Sequence, residues 1–180
     1  SDTINTGIYI IEPKALQLIP VREEYDFSKD LFPLLLRQKA GLYGCILDGY
    51  WRDIGNLNEY QDAHIDALHG RVRVSIEGRV EGNVHLGKGS KLPAHGFTAT
   101  GTVLIGNNCN IGDGVTLSNT VIGNNCVIGP AARIANSVLW NDVTVGHGAE
   151  ISSDVIGSKS SIGEGAIIAE NVFIGREPRR

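Results

Sequence analysis

The sequence has no methionine, only three cysteines, few aromatic residues and no excess of positive charge. Each shortage removes a class of protein. A chain without Met that opens SDTINTG and turns apolar at once is expected to be part of a longer polypeptide, with Ser1 not a translation start. Cys45, Cys109 and Cys126 are odd in number and stand at no metal-ligand spacing, which speaks against a disulfide framework and a zinc site. A formal net charge of -4 leaves no footprint for nucleic acid, the short basic end GREPRR notwithstanding. No apolar run approaches the roughly eighteen residues of a membrane span, and no signal-peptide pattern begins the chain. The expectation is a soluble, cytoplasmic protein with neither nucleic-acid nor membrane partners.

What the sequence does hold follows two grammars. Residues 1–70 read as mixed α/β. INTGIYII is rich in β-branched residues, as a buried strand should be, and LYGCILDGYW reads as a second strand. Between them EPKALQLI predicts a helix with Pro13 in its first turn, and DFSKDLFPLLLRQKA predicts one capped by Asp26 or Ser28 and broken at Pro33. NLNEYQDAHIDALHG predicts an amphipathic helix with Asn56 or Asn58 as cap and Gly70 as stop. A pair of strands cannot cover itself, so this region reads as a fragment of a sheet.

From residue 71 to 180 the chain repeats. Ile105, Ile111, Leu117, Ile122, Ile128, Ile134, Leu139, Val145, Ile151, Ile156, Ile162, Ile168 and Ile174 recur at steps of six and five residues. Steps of six, six and five make a super-period of seventeen, which aligns Ile105 with Ile122, Leu139 and Ile156. Hexads grouped in threes mean three short strands per coil, an apolar head pointing into a triangular prism and a small residue four positions later. Gly, Asn and Asp are expected at the corners because they tolerate positive φ. Val74, Val80, Leu86 and Leu92 read as an earlier, less regular part of the prism, interrupted by KLPAHGFTAT. This pattern resembles the left-handed parallel β-helix family, an exception to right-handed crossovers.

Many proteins of that class are acyltransferases with a histidine base, so His85, His95 and His147 are candidates, and that activity is an alternative reading. None of the three has a carboxylate legible beside it, as a general base requires. Cys109 and Cys126 fall at the small inner position and read as buried fillers. Trp140 replaces a corner glycine, must project outward, and is a candidate contact for another domain or subunit.

The segments SDTINTGIYIIEP, YDFSKDLFP and GYWRDIGNLNEYQDAH, in this order and ahead of a β-helix, resemble the C-terminal part of the nucleotidyltransferase domain of sugar-nucleotide pyrophosphorylases. The resemblance is greatest to the GDP-mannose pyrophosphorylases, or mannose-1-phosphate guanylyltransferases. It implies the end of a Rossmann-like α/β nucleotidyltransferase domain over 1–70 and an all-β left-handed β-helix over 71–180. It also implies a parent reaction of nucleoside triphosphate with sugar 1-phosphate to nucleotide-sugar and pyrophosphate. By the same resemblance Asn5 and Gly7 line the sugar pocket, Lys29 approaches the sugar phosphate, and Asp53 is a ligand of the catalytic Mg²⁺. No residue is assigned to covalent catalysis. An Asp flanked by glycines at a strand end suits half of such a site, since Mg²⁺ takes oxygen ligands from one or two carboxylates and substrate phosphates. The structural alternative for Asp53 is a helix cap or an ion pair with Arg52. The family's glycine-rich phosphate loop, of the form GxGTR, is absent from the sequence, so this segment alone is expected to be inactive. The repetitive faces of the β-helix suggest a homo-oligomer, and a non-catalytic regulatory or assembly subunit related to these enzymes is the other alternative.

Overall fold

The computed structural model describes residues 4–169 and 173–174. The chain forms two compact units, Ser1–Trp51 and Arg52–Arg180. In the first, helix α1 (Pro13–Leu16) carries Pro13 at its start. A π-turn at Phe27–Leu31 then runs into helix α2 (Phe32–Arg37). Asp26 is the cap: its carboxylate accepts from the backbone N–H of Ser28 at 2.7 Å and of Lys29 at 2.8 Å. Pro33 does not break this helix. It lies in the first turn of α2, where its missing N–H is no loss.

The two expected strands are not formed. INTGIYII and LYGCILDGYW form no ladder, and Ile10 is 104% and Ile46 81% exposed. The reason is physical: a strand is stabilised by cross-strand partners, and these segments have none among the described residues.

The second unit begins with helix α3 (Leu57–Leu68). Asn56 caps it by accepting from the Glu59 N–H at 3.0 Å, and Gly70 follows its end at φ +73°. The rest is a parallel β-solenoid. Its first face stacks Val84–Leu86, Val103–Ile105, Val121–Ile122, Val138–Leu139, Val155–Ile156 and Phe173–Ile174. The second face stacks Asn110–Ile111, Val127–Ile128, Thr144–Val145 and Ser161–Ile162, and the third Thr98–Thr100, Thr116–Ser118, Arg133–Ala135, Glu150–Ser152 and Ile167–Ala169. The register is the seventeen-residue one, with Ile105 on Ile122, Ile122 on Leu139 and Leu139 on Ile156. Every hexad head from Ile105 to Ile162 is at most 5% exposed.

Each corner turns on a residue in the left-handed region. The first corner uses Asn108, Asn125, Asp142 and Lys159, the second Gly114, Ala131, Gly148 and Gly165, and the third Gly101, Asn119, Asn136 and Ser153. Side-chain amides bind one coil to the next: the Asn124 Oδ1 accepts from the Asn107 N–H, and the Asn141 Oδ1 from the Asn124 N–H, both at 2.7 Å.

The prism begins later than its sequence suggests. Arg79–Glu81 folds back antiparallel on Val84–Leu86, leaving Val80 62% and Val74 53% exposed. Val84 and Leu86 make the first inward pair instead. KLPAHGFTAT is absorbed as a lengthened first coil, in which Leu86 pairs with Ile105 across nineteen residues.

One face is apolar on both sides. With Ile105 and Leu139 inward, the alternating residues Leu104, Val121, Val138 and Val155 point outward. Val138 and Val155 are nonetheless 4% and 1% exposed. Helix α3 lies on this side, where the Trp140 Nε1–H donates to the Tyr60 hydroxyl at 2.9 Å and the two rings meet edge-on at 6.3 Å. The outward projection expected of Trp140 is thus used within the chain, against an element that the sequence assigns to the first seventy residues.

Candidate functional site

The segment GYWRDIG enters α3 through Arg52. Glu59, Asp62 and Asp66 lie three, then four residues apart and so share one face of the helix. The guanidinium grips all three: Nη1 reaches Glu59 at 2.6 Å and Asp62 at 2.9 Å, and Nη2 reaches Asp66 at 3.1 Å. Asp66 is 5% exposed and also receives Arg71 at 2.7 Å, so the buried carboxylate stands between two cations. Sequence reasoning missed this clamp, although its signal was legible: an arginine ahead of a helix that carries acids at one-face spacing.

Asp53 follows directly. Its carboxylate is exposed and makes no ion pair among the described residues. Both structural alternatives for it are taken by other residues, since Asn56 caps α3 and Arg52 pairs with the helix acids. A Cβ added at Gly55 would stand 3.9 Å from Asp53 Oδ1, an ordinary contact distance, so this glycine is not required by the closeness of the carboxylate. An accessible carboxylate oxygen in an open setting fits one ligand position of a Mg²⁺ ion. Among the described residues no group of three or more His, Cys, Asp or Glu assembles to complete a metal cage.

Asn5, Gly7 and Lys29 belong to the first unit, which is a separate body. Asn5 Oδ1 accepts from the Gly7 N–H at 3.1 Å, and its amide nitrogen donates to the Tyr9 hydroxyl at 2.8 Å. Gly7 is at φ +73° with open space where a Cβ would be. Tyr9 in turn packs on Phe27 at 5.8 Å and Phe32 at 5.0 Å. This aromatic cluster brings the NTG turn to the SKD turn, whose Lys29 is exposed. The first unit therefore gathers the three expected substrate contacts around one small core.

The remaining reactive side chains are quieter. His147 has the carboxylate that its sequence did not reveal, Glu164 one coil on at 3.4 Å, but both side chains are well exposed on the second corner. His95 is exposed in its loop, and His85 points outward between the inward Val84 and Leu86. Cys109 and Cys126 are buried on consecutive coils, each thiol donating to a carbonyl, Gly123 at 3.0 Å and Trp140 at 3.1 Å. The Cys109 thiol beside it, and then burial, push the Cys126 thiol up, so it stays protonated and inert. No helix among the described residues is long and apolar enough to cross a membrane.

Comparison with known proteins finds two families along the chain. Residues 68–178 match the family described as the EIF2B subunit epsilon LbH domain, LbH standing for left-handed β-helix, and residues 1–70 match the family described as nucleotidyl transferase. The chain belongs to the family of this β-helical domain, and its first seventy residues match a nucleotidyl transferase. Proteins similar to it include a UTP–glucose-1-phosphate uridylyltransferase of Synechocystis sp., 34% identical over 142 residues, covering 67% of this chain and 36% of the relative. A glucose-1-phosphate adenylyltransferase of Thermotoga sp. is 35% identical over 75 residues, 38% of this chain and 18% of the relative. A mannose-1-phosphate guanyltransferase of Eremothecium gossypii is 40% identical over 57 residues, 32% of this chain and 15% of the relative. The chain thus spans about a third or less of these relatives' length, and they differ in base and sugar.

Proposed function

We propose that this chain is the C-terminal portion of a sugar-1-phosphate nucleotidyltransferase that forms a nucleotide-sugar and pyrophosphate. GTP with mannose 1-phosphate is the substrate pair most in keeping with the NTG, SKD and YWRDIG segments. The observation that carries the reading is Asp53: exposed, relieved of capping and pairing duties, and next to an arginine fixed to α3 by three carboxylates.

In the proposed reaction a sugar-phosphate oxygen attacks the α-phosphorus of the triphosphate and pyrophosphate leaves. Bound Mg²⁺ would neutralise charge developing on the phosphates. The chain's own residues position and stabilise. Asp53 offers a carboxylate oxygen to the metal, and Arg52 holds the backbone on which Asp53 sits. The Asn5 amide and the Gly7 backbone face sugar hydroxyls, and the Lys29 ammonium faces the sugar phosphate. The task is electrostatic preorganisation and proximity, not covalent catalysis.

The test is pyrophosphate release by the full-length native protein, assayed with GTP and mannose 1-phosphate, UTP and glucose 1-phosphate, and ATP and glucose 1-phosphate. Asp53→Asn is expected to lower kcat by at least about 100-fold, as loss of a charged transition-state contact does. An Asp53→Asn variant as active as the parent overturns the assignment. The match of residues 68–178 to the EIF2B epsilon domain favours a second reading, a non-catalytic assembly subunit. That reading predicts no pyrophosphate release from any pair, with an oligomer by light scattering that Asp53→Asn leaves unchanged.

A further inference from the structure

A cleft of about 350 Å³ opens between α3 and the third corner of the β-helix. It is lined by Asn58, Gln61, Asp62 and Ile65 on the helix and by Asn136 and Ser153 on consecutive coils. Gln61 is 93% buried by its 7% exposure, yet its Nε2 has no hydrogen-bond partner. A buried amide donor left unmade is costly, and native proteins seldom keep one without a use.

The lining selects the ligand. No lysine or arginine contributes to it, and it contains a carboxylate, so a phosphate or carboxylate guest would meet repulsion without a counter-charge. A cation is disfavoured as well, because Asp62 is the one acid present and already pairs with Arg52 at 2.9 Å. What remains is three side-chain amides, a hydroxyl and the apolar Ile65, a set of short donors and acceptors that matches hydroxyl groups. The volume lies at the small end of the range for small-molecule sites. We propose that this cleft binds an uncharged polyhydroxyl molecule of monosaccharide size, with the Gln61 amide donating to one of its hydroxyl oxygens. The inference concerns the second unit alone and does not depend on the nucleotidyltransfer reading.

The experiment is thermal unfolding of the full-length native protein titrated with free glucose or free mannose, with glycerol as the control for general polyol stabilisation. The expected result is a saturable rise in Tm with one of the sugars beyond the glycerol baseline. Gln61→Leu removes the orphan donor, so its ligand-free Tm is expected about 2–4 °C above the parent's. Its saturable response is expected to vanish. Asn136→Gly, which keeps the positive φ available, is expected to weaken the response at least about 10-fold in apparent affinity. The proposal is overturned by a rise that never saturates, by a saturable rise that Gln61→Leu retains, or by Gln61→Leu lowering the ligand-free Tm.

Discussion

Ile10 sits in a segment richer in β-branched residues than the one around Ile134, yet it is Ile134 that forms the strand. Ile134 is 1% exposed, stacked between Leu117 and Ile151 in a ladder that continues in both directions. Ile10 is fully exposed in a segment with no ladder. The solenoid writes most strands' partners into the chain seventeen residues away, so closing a coil supplies the neighbour. The first unit has strand-forming composition but no such neighbour among its described residues, and it falls back on local devices: the Asp26 cap, the Asx contact of Asn5 and a cluster of Tyr9, Phe27 and Phe32. Strand propensity is therefore a statement about available partners more than about the backbone.

That contrast gives the largest expected effect. Ile134→Ala leaves a cavity in a closed prism and is expected to cost about 2–4 kcal/mol, whereas Ile10→Ala should stay within about 0.5 kcal/mol. Urea unfolding of both variants checks this, and equal costs would break the comparison. The next effect concerns the helix on the first face. Tyr60→Phe removes the hydrogen bond and is expected to cost about 1 kcal/mol, and Trp140→Phe, which removes the same bond and part of the ring contact, somewhat more. Because they share that one contact, the double variant should cost clearly less than their sum. Additive losses would show that α3 is held on the β-helix by something other than this pair.

The two regions also differ in how far they could be read in advance. Hexad heads, the seventeen-residue register and the left-handed corners were legible because one physical constraint, the narrow prism, repeats coil after coil. Val74 and Val80 misled because the right step alone does not close a coil: Arg79–Glu81 pairs antiparallel with Val84–Leu86 instead of stacking in parallel. The candidate site was harder. Asn5, Gly7, Lys29 and Asp53 came from resemblance, and the structure adds what one sequence does not display: which acids Arg52 holds, and that Asn56 releases Asp53 from capping. The role of α3 had a readable sign. Leu104, Val121, Val138 and Val155 make an apolar outward column, which requires a cover, but alternation alone does not name the covering element.

A smaller effect separates good corners from tolerated ones. Ala131 is at φ +56°, while its column neighbours at this corner, Gly114, Gly148 and Gly165, are glycines. Alanine is strained in the left-handed region and glycine is not, so Ala131→Gly is expected to stabilise by about 1 kcal/mol after its entropy cost is offset. Loss of stability would mean that the Ala131 methyl contributes packing worth more than the strain it carries.

The smallest effect lies in the first unit and is a matter of pH. The Lys29 N–H holds the Asp26 carboxyl below its ordinary value of 3.8, assisted by the Ser28 N–H and the Lys29 charge and opposed by slight desolvation. A carboxyl whose folded value is depressed stabilises the folded turn above its ordinary value, and that contribution is lost as pH falls through the folded value. The amides of Ser28 and Lys29 should therefore keep their exchange protection down to about pH 4 and lose it below, with Asp26→Asn showing weakened protection and no acid transition. The solenoid supplies an internal contrast in the same spectrum. Amides in its coils donate to backbone carbonyls and to neutral asparagine side chains, such as the Asn124 N–H to Asn141 Oδ1, which do not titrate. If the coils lost protection at the same pH as Ser28, the transition would be unfolding of the whole chain. Early loss confined to the turn would show that this region rests on a charged cap where the β-helix rests on a neutral ladder.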